Sequence, residues 1–521
     1  MDVFNQHSRT RNVLTSSVVG LTCNLLTNVM GFVYRSIFLH FLSAAYLGLT
    51  GLFGDVLVIL SLTDLGISSA ISFRFYDPIS RGDVQKVGQL LHFFRKVYLI
   101  IAGVILVLGL SVVPFLDFFI KDPGEVPQDI NLRLIYVLCL LQSVSSYLFA
   151  YKQNLLVADQ KQYLMSLFTT GTTLLRYIFQ LSTLWIWKNY TLTLAVSILA
   201  TLFCNILISF WIDRSYRAVF TRQTPLPKEE QTQILKDTKA TMLHKIGSTV
   251  LLATDNIVLT KYVGLVVTGL YSNYSMIFTA ITTMAQQALG SCTASLGNAR
   301  TQLDAEAKYA VYRRLLFLNF WVAGVTATCL FGLANDFIEL WVGPEMKLDL
   351  FVVSVLCVNF YIQNTRQITG SFSTASGLFV KDRLRPLLES ALNLVISIVL
   401  VQRIGIAGVF LGTIFSALLT VFWREPYILY RYEFKTSTAD YWKLYTAFAA
   451  VAVAANVAVH GMGNLFHITG NALLDWLIKA VACGLTYCVL ATLAFCRSAE
   501  FRFYLELVLN FGKRLIHKKG Q

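Results

Sequence analysis

The chain has 521 residues, is 55% hydrophobic and only 14% charged, and carries a formal net charge of +14. A soluble domain typically carries about 25% charged residues, so this composition excludes an ordinary soluble enzyme and points to an all-α integral membrane protein. Its basic excess needs no nucleic-acid partner: Lys and Arg crowd into alternate loops, as on the cytoplasmic side of a multi-pass protein.

Hydropathy predicts about fourteen transmembrane helices, at roughly 13–39, 46–71, 94–119, 132–153, 163–187, 191–212, 240–262, 265–290, 313–340, 349–374, 384–403, 406–429, 441–463 and 472–496. The first segment is too long for a signal-peptide core and lacks a small-residue cleavage site, so it reads as a retained helix. Basic loops fall at 72–93, 154–162, 213–239, 291–312, 375–383 and 430–440. The opposite loops are short and nearly neutral; the longest, 120–131, holds Asp122, Pro123, Gly124, Glu125 and Pro127. The positive-inside rule then puts both termini in the cytoplasm and Asn189 and Gly343 outside. No loop is large enough to form a catalytic domain. The stretch 500–519 alternates Phe503, Leu507, Phe511 and Leu515 with Arg502, Lys513, Arg514 and Lys518. It fits an amphipathic helix on the cytoplasmic interface, an anchoring tail.

The chain also repeats itself. "IAGV" at 101–104 returns as "VAGV" at 322–325, "VLC" at 137–139 at 355–357, "LL" at 174–175 at 387–388, and "FW" at 210–211 at 422–423. Each match is weak alone, but their common order implies two six-helix halves. The expected domains are an N-lobe (1–225), a C-lobe (226–435), and a remainder (436–521) with the last two helices and the tail. An even number of helices per half makes this a parallel repeat, with its pseudo-twofold axis along the membrane normal. The stretch 213–239, with Arg214, Arg217, Arg222, Pro225 and Pro227, links the halves.

Enzyme motifs are missing: no G-x-x-x-x-G-K-[ST], no H-E-x-x-H, no G-x-S-x-G and no Gly-rich dinucleotide loop. The cysteines (Cys23, Cys139, Cys204, Cys292, Cys329, Cys357, Cys483, Cys488, Cys496) form no C-x-x-C pair and lack His at metal spacing. They read as apolar packing residues, with no disulfide, metal or cofactor expected.

What remains is ionisable groups at membrane depth, which are expensive and usually face a cavity or a partner. Arg176 sits mid-way in the fifth segment, Arg366 mid-way in the tenth, and Arg35 in the outer third of the first. Asp55 and Asp64 lie in the second, Asp255 in the seventh and Glu389 in the eleventh; through the repeat Arg176 corresponds to Glu389, so equivalent positions carry opposite charge. These arginines either pair with acidic neighbours or line a cationic cavity for an anionic substrate, a task that suits a fork-shaped, permanently charged guanidinium. Arg35 could also snorkel outward. "TGLYSNYSMIF" (268–278) places Tyr271, Asn273 and Tyr274 at membrane depth; "NFYIQNTRQITGS" (359–371) adds Asn359, Gln363 and Asn364. Such groups suit sugar recognition and interhelical hydrogen bonding equally. Asp255 could bind and release a proton or Na⁺ as the lobes rock; alternatively it pairs with an arginine or caps a helix break with Asn256. Asp64 and Glu389 are further candidates for this coupling.

Six stretches carry a resemblance: "YLGLTGLFGDVLVILSLTDLGISSAI" (46–71), "SYLFAYKQNLLVADQKQY" (146–163), "TDNIVLTKYVGLVVTGLYSNY" (254–274), "ASLGN" (294–298), "FIELWVG" (337–343) and "GIAGVFLGTIFSALLTVFWREPYILY" (405–430). From residue 10 to about 435 the chain resembles bacterial polysaccharide biosynthesis transporters. These are Wzx-like flippases of undecaprenyl-diphosphate-linked oligosaccharides, in the multidrug/oligosaccharidyl-lipid/polysaccharide (MOP) exporter superfamily, which also holds lipid II flippases and multidrug and toxic compound extrusion (MATE) antiporters. The resemblance implies two six-helix lobes in a V, alternating access, and a cationic cavity that fits Arg176 and Arg366. Asp64 departs from the expected Glu, and Asp55 from a more neutral residue. The implied activity is not enzymatic: export of lipid-linked repeat units across the bacterial cytoplasmic membrane for capsule, exopolysaccharide or another surface glycan. The implied partners are membrane lipids, glycosyltransferases and a polysaccharide polymerase. Two rivals are a MATE-like drug antiporter, which central arginines disfavour, and a membrane glycosyltransferase or polymerase, which short outer loops disfavour.

Overall fold

The computed structural model describes residues 9–61, 67–221, 224–299, 305–382, 384–462 and 470–518. Among them every regular element is helical. The first helices are α1 (Arg9–Phe41), α2 (Ala44–Leu60), α3 (Ile67–Ser80), α4 (Val84–Val112), α5 (Leu132–Ala158), α6 (Gln162–Trp187) and α7 (Tyr190–Ser215). Next come α8 (Arg217–Thr221), α9 (Lys228–Ala253), α10 (Asp255–Tyr262), α11 (Leu265–Ala299), α12 (Ala305–Val342), α13 (Leu350–Thr365) and α14 (Gln367–Ala375). The chain continues through α15 (Arg385–Ile404), α16 (Ile406–Leu419), α17 (Val421–Leu429), α18 (Ala439–Gly461), α19 (Ala472–Phe495) and α20 (Ala499–Lys518). Among the described residues, eight helical stretches are long and apolar enough to cross a membrane, as in a multi-pass protein but fewer than the fourteen expected.

Local chemistry sets several starts. Asn131, Asn189 and Asn471 cap α5, α7 and α19, accepting from Leu134 N at 3.2 Å, Leu192 N at 2.9 Å and Leu473 N at 3.1 Å. These caps supply acceptors for helix N–H groups that have none within the helix. Asp83 does the same for Lys86 N at 2.9 Å, so α4 begins at Val84 and not near 94. The expected basic loop 72–93 is therefore mostly α3, a turn and the start of α4. Its Lys and Arg mark the depth at which the chain leaves the apolar layer, but they are good helix formers and do not end a helix.

Hydropathy also missed breaks inside apolar runs. The expected helix 240–262 breaks at Thr254, 349–374 at Arg366, and 406–429 at Thr420. A break leaves average hydropathy unchanged, and its cost falls on backbone groups that need partners. At Arg366 those partners are visible: Asn319 Nδ2 on α12 donates to the carbonyls of Asn364 (3.1 Å) and Thr365 (2.9 Å).

The chain forms two compact units, Met1–Ser272 with Arg383–Val409, and Asn273–Asp382 with Phe410–Gln521. In the first, α1 and α6 run side by side in the same direction: Thr27 meets Thr170 (3.4 Å), Tyr34 meets Tyr177 (4.7 Å) and Phe41 meets Trp185 (5.6 Å). Leu49, Leu52, Phe53, Ile105, Tyr136 and Leu184 fill the core beside them. Gly269 lets α11 approach the carbonyl of Ala44 so closely that any side chain there would overlap it. Loops expected on one face meet loops of that face. Lys86 pairs with Glu230, Gln89 Nε2 donates to Thr224 Oγ1 at 3.1 Å, and Lys161 Nζ donates to Tyr216 Oη at 3.0 Å.

The second unit is organised around α12. Helix α19 crosses it antiparallel, with Phe317 near Phe495 (5.6 Å) and Asp336 paired with Lys479 (2.7 Å). Helix α18 runs parallel to it, with Phe320 near Phe448 (5.7 Å) and Leu333 clustered with Val459. Gly324 admits the Tyr487 ring against the α12 backbone, where a methyl group would collide with the phenol. Small residues at such crossings are how membrane helices gain packing without a hydrophobic drive between them. The helices outside the repeat are thus integral to this unit.

Candidate functional site

In the first unit, the parallel register of α1 and α6 brings two Tyr–Arg pairs together. The rings of Tyr34 and Tyr177 stack at 4.7 Å with an interplanar angle of 17°. Arg35, beside Tyr34, donates from Nη1 to Ser272 Oγ on α11 at 2.7 Å. Arg176, beside Tyr177, holds its guanidinium carbon 5.5 Å from that ring. Its Nε is buried and finds no hydrogen-bond acceptor, and among the described residues Arg176 has no carboxylate partner. Both guanidiniums act electrostatically on Tyr34. A guanidinium nitrogen shut away from water without an acceptor is costly. The two tyrosines were not expected from the sequence, although the dipeptides Tyr34-Arg35 and Arg176-Tyr177 carried the signal.

Arg366 is placed differently, in the second unit. It sits at the α13–α14 break, donates to Gln363 Oε1 at 2.9 Å, and pairs with Glu425 at 3.4 Å, with side-chain exposures of 15% and 11%. Its charge is compensated by Glu425, the arrangement that the ion-pair alternative describes. Glu425, on α17, was missed because it lies near the expected end of a segment. The signal was the Arg424-Glu425 pair of charges in an otherwise apolar run. Asn364 is buried and donates to the Phe360 carbonyl at 2.9 Å. Tyr274 and Asn273 are fully buried. The Tyr274 hydroxyl donates to Asn335 Oδ1 and accepts from Leu348 N at 2.9 Å, which staples α11 to α12 and its following loop. Tyr271 lies half-buried on α11.

The carboxylates divide likewise. Glu389, 3% exposed, accepts from Arg385 Nη1 at 3.0 Å. Asp255 opens α10 just after the Thr254 break, where the helix N-terminus favours negative charge. Its Oδ1 is buried and accepts no hydrogen bond. Asp55 Oδ2 accepts from Asn256 Nδ2 at 2.9 Å, and its charge acts on Asp255. The fold thus sets two carboxylates near one another, with the Asn256 amide bonded to Asp55. Asp64 lies outside the described residues.

At the expected outer end of this unit, the 120–131 loop is tied to the α10–α11 turn. The Glu125 carboxylate accepts from Leu265 N, and from Val266 N at 3.2 Å, capping α11. Lys121 N donates to the Thr260 carbonyl at 3.2 Å. Asp129 accepts from the Tyr46 hydroxyl at the start of α2.

The sequence profile of the family described as polysaccharide biosynthesis protein matches residues 13–291. Among solved structures, the lipid II flippase MurJ in an inward closed conformation is similar, with a TM-score of 0.66 at 13% identity, covering 94% of this chain and 100% of that one. An inward-facing multidrug resistance MATE family transporter of the MOP superfamily scores 0.57 at 14% identity, covering 79% and 98%. A MOP superfamily transporter from Pyrococcus furiosus, described as having a binding pocket of reverse polarity, scores 0.52 at 14% identity, covering 82% and 96%. At such identities the likeness shows a shared fold, that of MOP-superfamily transporters. No curated protein matches the sequence.

Proposed function

The chain belongs to the polysaccharide biosynthesis protein family, and from that premise we propose that it is a flippase for undecaprenyl-diphosphate-linked oligosaccharide. Its path runs from the inner to the outer leaflet of a bacterial cytoplasmic membrane, by alternating access, with the termini inside and about fourteen crossings. The observation that carries this reading is Arg176, a half-buried arginine whose Nε is shut in without a hydrogen bond and which has no carboxylate partner among the described residues, set beside a stacked tyrosine pair and Arg35. A diphosphate moved through hydrocarbon unpaired costs many kcal/mol. Arg176 and Arg35 lower that cost by binding its oxygens with charge-assisted hydrogen bonds. The tyrosines offer aromatic surface to the first sugars, while the lipid tail stays in the bilayer. Arg366 is assigned to structure, because Glu425 already neutralises it.

Asp255 and Asp55 are the groups we assign to coupling with H⁺ or Na⁺, since Asp255 lies at a helix break with an unfilled carboxylate oxygen. That acidic pair also favours the second reading, a cation-coupled drug antiporter. One experiment separates them. Cells depleted of the protein should accumulate lipid-linked oligosaccharide on the inner leaflet and keep their drug susceptibility. Normal glycan export together with new drug sensitivity would select the antiporter.

A further inference from the structure

Helix α20 is anchored at one end and open along the rest. Only Cys496, Arg497 and Ser498 join it to α19, so it begins where a membrane-spanning helix leaves the bilayer. Its first turns are bolted to α12: Glu500 pairs with Arg313 at 3.0 Å, and the Arg314 guanidinium lies 4.0 Å from the Phe503 ring. The Tyr504 hydroxyl donates to the Arg314 carbonyl at 3.0 Å, and Phe501 packs on Trp321 at 5.9 Å. Past Tyr504 the helix presents Leu505, Leu507, Val508 and Leu509 at 48%, 54%, 65% and 55% exposure.

Helical periodicity puts Phe501, Tyr504, Leu505, Val508 and Leu509 on one arc, with Leu507 at its border, and Arg502, Glu506 and Asn510 on the other beside Phe503. After Glu506 every charged residue is basic: Lys513, Arg514, Lys518 and Lys519. The early carboxylate Glu500 is spent on Arg313, so the outer part of the helix is cationic as well as apolar. A protein groove would match the apolar arc but not explain this charge gradient. An acidic bilayer surface matches both, and the short link to α19 already holds the helix at that surface.

We infer that α20 lies flat on the leaflet surrounding its end of α12 and binds anionic phospholipid headgroups. The apolar arc enters the headgroup–acyl boundary and the basic residues meet lipid phosphates. The anchor at Arg313 and Arg314 carries that contact to α12. This inference is independent of the cargo.

The test uses the full chain, one copy per nanodisc, with its native cysteines replaced and an environment-sensitive fluorophore at Val508→Cys. In discs with about 30% phosphatidylglycerol the emission shifts to the blue, and spin-labelled lipid quenches it; in pure phosphatidylcholine both effects are weaker. Lys513→Gln with Arg514→Gln and Lys518→Gln removes the dependence on acidic lipid, with partition weaker by on the order of 100-fold. Raising salt does the same to the unaltered chain. A fluorophore that stays water-exposed in acidic discs overturns the inference, and so does equal shielding in both lipids that the triple Gln variant leaves unchanged. Shielding that appears only when two copies share a disc overturns it in favour of a contact between copies.

Discussion

Arg176 and Arg366 should part company when each is replaced by alanine. Arg176→Ala removes a guanidinium whose Nε makes no hydrogen bond, and with it a ring contact at 5.5 Å. Such a contact stabilises by about 0.5–1 kcal/mol, and the loss is offset by removing a buried Nε that makes no hydrogen bond. The net change in stability is about 1 kcal/mol or less. Arg366→Ala instead leaves Glu425, at 11% side-chain exposure, without its cation, and Gln363 without its donor. Breaking a buried pair in this way costs about 3–5 kcal/mol. In thermal unfolding of the detergent-purified chain, Arg366→Ala should therefore lower the midpoint several times more than Arg176→Ala. Export should rank the other way at matched membrane levels. Loss of a bidentate diphosphate contact is worth about 3 kcal/mol, on the order of 100-fold in transport, and Arg176→Lys recovers only part of it because the fork geometry is gone. Replacing the pair with Arg366→Met and Glu425→Leu should restore stability and keep export. The reasoning is refuted if Arg176→Ala is as destabilised as Arg366→Ala, or if it exports normally at native expression.

Four further outcomes follow from the same geometry. Asp255→Asn should still bind lipid-linked oligosaccharide, yet lose the response of transport to an imposed pH or Na⁺ gradient in proteoliposomes; an intact response removes Asp255 from coupling. Lys228→Cys should resist an impermeant thiol reagent in intact cells while Glu345→Cys reacts, and the reverse pattern would invert the topology. Glu125→Ala, which deprives α11 of its cap at a cost of about 1 kcal/mol, should speed labelling of Ser272→Cys from outside; an unchanged rate would mean that the 120–131 loop does not hold that end closed. Gly324→Leu should abolish accumulation of folded protein, since Tyr487 occupies the space the side chain needs, and normal accumulation would contradict the α12–α19 crossing.

The sequence was most legible where a single property averaged over a turn or more decides the outcome. Apolar runs marked the eight described helical stretches long and apolar enough to cross a membrane, and the charge sorting grouped loops that the fold then brings together, such as Lys86 with Glu230. It was least legible where one residue acts through a distant partner. Thr254, Arg366 and Thr420 break helices without altering hydropathy, and the carbonyls freed at Arg366 depend on Asn319 from another helix. Arg176 and Arg366 looked alike, because each was an arginine at mid-depth. Glu425 compensates one, and no described residue compensates the other. Tyr274 suited sugar recognition and interhelical hydrogen bonding equally; which partners its hydroxyl would find, Asn335 and the Leu348 N–H, no local pattern shows.

The most direct test of the account is transfer of a fluorescent undecaprenyl-diphosphate-linked oligosaccharide between the leaflets of proteoliposomes containing the purified chain. Transfer should require the protein and be lost in Arg176→Ala although that variant remains folded. Transfer equal in wild type and Arg176→Ala, or uptake of cationic drugs with no movement of the lipid-linked oligosaccharide, would contradict it.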